Sequence, residues 1–194
     1  AGPVNNYRVC TGAAPYDWGR GAFAILEPRR PADFLDGLSM TIGMSEKLVG
    51  AAAPDNFSTR RDFWYSGASA MQWDPTADEM MQVCGAAGPA PPDFYSFAGF
   101  SWFYAGYEFT WYNHVAPPNT AIPDCAADPA YPPDGISASP VSGGIFQATS
   151  YHPGGVNCLM MDGACRFFSN DVDLQIWRAF ATIAAGEATD SAKF

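Results

Sequence analysis

The chain has 194 residues, 48% of them hydrophobic and 15% aromatic, and twenty acidic side chains against ten basic ones leave a net charge of −10. That length can bury a core, and the composition is that of a folded chain rather than a disordered one. The charge argues against nucleic acid and anionic lipid as partners, because both are held by a basic face that displaces counterions.

One domain spanning 1–194 is expected. The 17 prolines and 19 glycines are scattered without a period, which predicts a loop-rich fold and no repeat. No run reaches the eighteen or so apolar residues of a membrane helix. Of the five cysteines, none forms a Cys-x-x-Cys pair, and only two histidines are present, so a structural zinc site is not expected. Cys84 and Cys125 fall in Gly/Pro-rich stretches, where a disulfide would order the chain. They are the candidate pair, although connectivity is not readable from sequence.

In chain order, "NNYRVCTG" and "GAFAILEP" read as short strands separated by a turn-rich stretch. Asp36-Gly37 breaks the next segment. "SMTIGMSEKL" then alternates as a strand with Met40, Ile42 and Met44 on one face. "RDFWYSGASAMQW" is a further strand candidate. From Asp93 to His114, eleven of twenty-two residues are aromatic. The segment reads first as core, because aromatics bury large areas, and alternatively as an exposed stacking surface over 94–112. A Pro-rich stretch, about 115–142, reads as a long packed or functional loop.

"GVNCLMM" and "ACRFFS" flank Asp162-Gly163, which predicts a hairpin of Val156–Met161 with Ala164–Ser169 through a two-residue type I′ turn. That register sets Met160 opposite Cys165 and Cys158 opposite Phe167, with both thiols buried on one face. A helix follows, its stripe formed by Leu174, Trp177, Ala181 and Ala184. Gly186 is its expected stop.

The stretch "SYHPGGVNCLMMDGACRFFSNDVDLQIWRAFATIAAGE", 150–187, holds His152, nine intervening residues and then Asp162-Gly163. It resembles the signature of the prepilin-like proteins with an H-x9-DG domain (domain of unknown function 1559), abundant in planctomycetes. "RRPADFLDGLSMTIGMSEKL" and "TWYNHVAPPN" resemble further blocks of that family. The resemblance implies an α+β head with an antiparallel sheet, short helices and long loops, similar to pilins and type II secretion pseudopilins. It implies a preceding hydrophobic helix, absent from these 194 residues, through which such subunits would self-assemble and meet the membrane. It implies a cell-surface or extracellular location and a structural rather than catalytic role. His152, Gly154, Gly155, Asn157, Asp162, Gly163 and Trp177 are then structural motif residues.

The residues themselves offer no Gly-x-Ser-x-Gly elbow and no Walker loop. No cofactor is expected. Calcium is weighed because Asp162, Asn170, Asp171 and Asp173 supply oxygen donors close together in sequence. Capping of the following helix by Asp173 is the preferred account. A binding module for glycans, using the 94–112 aromatics, is the alternative function.

Overall fold

The computed structural model describes residues 3–16, 20–24, 27–66, 75–88, 90–126, 143–184 and 186. Two sheets carry the fold. The first has five strands in the order β5-β1-β2-β8-β9: β1 (Tyr7–Cys10), β2 (Ile42–Glu46), β5 (Trp111–Tyr112), β8 (Gly155–Met160) and β9 (Cys165–Ser169). The second has four, in the order β4-β3-β6-β7: β3 (Phe63–Tyr65), β4 (Phe94–Tyr95), β6 (Asp124–Ala126) and β7 (Gly144–Ile145). Two short helices, α1 (Ala77–Gly85) and α2 (Leu174–Ala179), and long loops complete an α+β fold. Both sheets are mixed, since β1 runs parallel to β5 and β3 parallel to β6. No helix among the described residues is long and apolar enough to cross a membrane.

The H-x9-DG hairpin forms β8 and β9, but one residue out of the expected register. Leu159 faces Cys165 and Cys158 faces Arg166, and the Met160 N–H donates to the Ala164 carbonyl. The loop is therefore Met161-Asp162-Gly163. Only Gly163 takes a positive φ, 89°, whereas a type I′ turn needs two such residues. Asp162 instead accepts the Ala164 N–H at 2.9 Å. The shift overturns the expectation for one of the two thiols, because a one-residue slip exchanges the faces of a strand. Cys158 is buried while Cys165 is exposed, beside Leu159 and Phe167 on the outer face.

A second irregularity sits in β2. Ile42 pairs with Met160 but Met44 with Leu159, so Gly43 is a bulge. Met44 therefore leaves the face of Ile42, against the simple alternation. Ser45 turns inward against Cys158, and Glu46 turns outward.

Val156, Cys158, Met160 and Phe168 form the inner face of the hairpin and pack with Ile42, Tyr112 and Trp177. The helix beneath them is shorter than its stripe suggested. It ends at Ala179 with Phe180 as C-cap, so Ala181 and Ala184 lie beyond it and Gly186 does not terminate it. The reason is tertiary: the Phe180 carbonyl accepts the Ile42 N–H and the Ile183 N–H donates to Arg20, which draws the chain away from a helical path.

The expected strand at "GAFAILEP" is reduced to an isolated bridge between Ala24 and Glu27. The backbone N–H groups of Gly21 and Phe23 donate to Thr11 and Cys10, then the chain leaves the sheet. Of "RDFWYSGASAMQW", Phe63–Tyr65 is strand and 67–74 lies outside the described residues. The Pro-rich stretch is not loop throughout, since β6 is buried within it; its last part, 127–142, lies outside the described residues. Cys84 and Cys125 form a disulfide, located on α1 and β6 rather than in loops.

Candidate functional site

The signature residues converge on the outer face of β2 and β8. The Glu46 carboxylate, delivered there by the Gly43 bulge, accepts the Asn157 backbone N–H at 2.8 Å and the Asn157 side-chain amide at 3.2 Å. His152 Nε2 lies 3.0 Å from the same carboxylate. The imidazole is half exposed and the carboxylate largely covered. Ser150 Oγ donates to the Gly155 carbonyl and accepts the His152 amide, so it is not offered to the imidazole as a nucleophile. Gly154 takes a φ of 84°. Gly155 sits so close to β9 that a Cβ would overlap the Phe168 carbonyl.

Asn119 ties the ends of this region together. Its side-chain oxygen accepts the Ser150 N–H and the Arg60 guanidinium, and its amide donates to Asn170 and Gly155. Arg60 also lies over the Tyr151 ring, 5.4 Å from its centroid. A cleft of about 510 Å³ opens beside these groups, lined by Asn6, Glu46, Arg61, Tyr151 and His152 among others. The Arg61 guanidinium is occupied with the Val49 and Gly50 carbonyls.

Trp177 is completely buried. Its indole N–H donates to Ala116 at 3.0 Å, and its ring stacks on His114 at 3.6 Å. His114 Nδ1 donates to the Trp177 carbonyl, and Nε2 meets the Tyr112 hydroxyl. Desolvation pushes the His114 pKa down to about 3, so the ring is neutral at ordinary pH.

The sequence profile of a family described as "Protein of unknown function (DUF1559)" matches residues 3–175. The chain belongs to the DUF1559 family. No curated protein and no solved structure matches it.

His152, Gly154, Gly155, Asn157, Asp162 and Gly163 lie inside the DUF1559 match, and Trp177 lies just beyond it. The four oxygen donors weighed for calcium do not converge. Asp162 is at the turn of the hairpin, whereas Asn170, Asp171 and Asp173 follow its far end. Asn170 is engaged by Asn119, and Asp173 accepts the Gln175 and Ile176 N–H groups as the cap of α2. Among the described residues no group of three or more His, Cys, Asp or Glu is placed to hold a metal.

The aromatic segment divides. Tyr107 and Tyr112 are buried, while Phe97, Trp102, Phe103 and Tyr104 are exposed, the last three at 63%, 76% and 60%. Core is thus an incomplete description of it.

Several partners of this DUF1559 chain escaped the sequence reading. Glu46 is 106 residues from His152, and nothing local marks it. Thr76-Ala77-Asp78-Glu79 is a capping-box pattern that does mark α1, and the Thr76 and Glu79 side chains cap reciprocally.

Proposed function

We propose that this chain is a non-catalytic structural head of a pilus-like or pseudopilus-like assembly at the cell surface. The observation that carries the reading is where the signature side chains go. Glu46 is saturated by Asn157 and His152, Ser150 and Asp162 hold turns, and Trp177 is sealed in the core. A signature spent on internal contacts belongs to a scaffold, whereas a catalytic set needs a nucleophile within reach of its base. The Cys84–Cys125 disulfide fits an oxidising, exported setting. Self-assembly through a hydrophobic helix outside these 194 residues is part of the proposal, as is the absence of a required cofactor.

Electron microscopy of native cells, immunogold-labelled for this protein, tests it. Label along surface filaments or an envelope-spanning stalk is expected. Label confined to the cytoplasm, or turnover of a polysaccharide panel at enzyme-like rates of about 1 s⁻¹ or more, defeats it.

A second reading, a glycan-binding module, is favoured by the exposure of Trp102, Phe103 and Tyr104. Calorimetric titration of neutral oligosaccharides, with loss of heat in Trp102→Ser, is its test.

A further inference from the structure

Ring contacts form a continuous chain from the core of the second sheet to an exposed tip. Phe146, Phe63 and Tyr95 lead to Phe109, Tyr104, Phe103 and Trp102, with neighbouring centroids 5.3 to 6.4 Å apart. The tip is therefore anchored, and its three terminal rings are bare. They stand across one another, at 84° between Trp102 and Phe103 and 75° between Phe103 and Tyr104. Crossed rings make a wedge rather than the flat platform on which a sugar face stacks. Residues 94–107 contain no charged side chain.

A groove of about 450 Å³ lies elsewhere, between β9 and the start of α2. Phe167, Phe168, Val172 and Ile176 supply its apolar walls, and Arg166, Asp171 and Asp173 its rim. That size falls in the range, roughly 300–1,000 Å³, that encloses small organic groups. The tip loop runs directly into β5, one edge of the five-stranded sheet, and the groove borders β9, the opposite edge.

Resting on the structural-head reading, we infer that the Trp102-Phe103-Tyr104 wedge of one copy enters the β9–α2 groove of the next. The occupant is a second copy for three reasons. Wedge and groove lie on opposite sheet edges, so one chain cannot satisfy its own pair. Two copies that each carry −10 meet most easily through a charge-free wedge and a groove whose rim, one basic group against two acidic ones, is only weakly negative. Arg166 at the rim is also suited to an aromatic face. A contact between two different patches is heterologous, and when the rotation does not close it propagates as a filament. The area is small. Three aromatics bury about 150–250 Å² each when fully enclosed, which places the contact below a standard interface of roughly 1,200–2,000 Å². One contact is thus weak, and it becomes effective when neighbours are already held side by side.

The test is sedimentation of the 194-residue chain between about 10 µM and 1 mM, the range in which weak contacts register. The wild type should show a mean mass that rises with concentration without stopping at a dimer. The wedge variant Trp102→Ser/Phe103→Ser and the groove variant Phe167→Glu should each associate about tenfold more weakly or worse. All three altered side chains are exposed, and unchanged melting temperatures would verify folding; Arg166→Glu replaces Phe167→Glu if that variant melts early. Mixed one to one, the two variants should form a discrete dimer, since one retains the groove and the other the wedge. A wild type that stays monomeric, a wild type that stops at a dimer, or a mixture that stays monomeric overturns the inference. So does a wedge that proves to be needed only for neutral phosphatidylcholine vesicles or for oligosaccharides. Labelled surface filaments with monomeric heads would sink this contact and leave the structural-head reading standing; associating heads without surface label would do the reverse.

Discussion

Burial holds the His114 imidazole neutral, sandwiched between the Tyr112 hydroxyl and the Trp177 carbonyl and stacked on the indole. Its folded pKa, lowered to about 3, lies below the unfolded value near 6.5. As pH falls through that window the unfolded chain takes up a proton that the native chain refuses. The contribution of His114 is fully present above about pH 6.5 and is lost as pH drops toward 3. Urea titrations at pH 7, 5 and 3.5 should show a loss of up to roughly 4 kcal/mol from this group. The loss should be missing from the slope of His114→Gln, whatever that variant's stability at pH 7; an unchanged slope would refute the account. Single residues were legible in the sequence only where their partners are near. Asp162 and Gly163 announce a turn because a turn is local. His152 announces nothing about Glu46, because the pair exists only after β2 and β8 have met.

Elements were legible where their own chemistry defines them. β8 and β9 follow from the two apolar runs that flank Asp162-Gly163, and α2 starts where Asp173 caps it. Asp173→Ala should cost about 1 kcal/mol, and the loss in melting temperature should be the same with calcium as with chelator; a calcium-dependent difference would return Asp173 to a metal site. The register of the hairpin and the bulge in β2 were not legible. Each depends on one residue in a turn or a strand, and tertiary pairing decides between patterns of equal local merit. The disulfide links elements rather than loops, pinning α1 to β6 across a separation of 41 residues. Loop-closure entropy for a ring of that size is worth about 4 kcal/mol. Cys84→Ala/Cys125→Ala should therefore lose about that much in denaturant titration, and the same drop should follow reduction of the wild type.

Across the whole molecule, the two sheets are joined by buried charge. Lys47, immediately after β2, pairs with Asp124 of β6 and donates to the Gln147 carbonyl. Arg8 of β1 is buried as well, with its Nη1 on the Tyr107 carbonyl. Desolvation pushes the Lys47 pKa down to about 8 and the Arg8 pKa to about 10, each opposed by Asp124. One carboxylate thus compensates two cations. Lys47→Met leaves Asp124 still facing Arg8 and should cost about 3 kcal/mol, whereas Asp124→Leu strands both cations and should cost about 5 kcal/mol or more. Equal losses in urea midpoints would contradict that division. Between about pH 8 and 10.5 the unfolded Lys47 holds a proton that the folded one has shed, so its contribution to stability rises with pH there. The central pairing of the first sheet, β2 with β8, has a further effect on the life of the chain. It joins Ser45 to Cys158, 113 positions apart. Until the stretch after Thr149 has left the ribosome, β2 has β1 on one side but no partner on the other, and the apolar face of the sheet lacks the cover of α2. The sheet can therefore close only late in synthesis, when its final hairpin arrives.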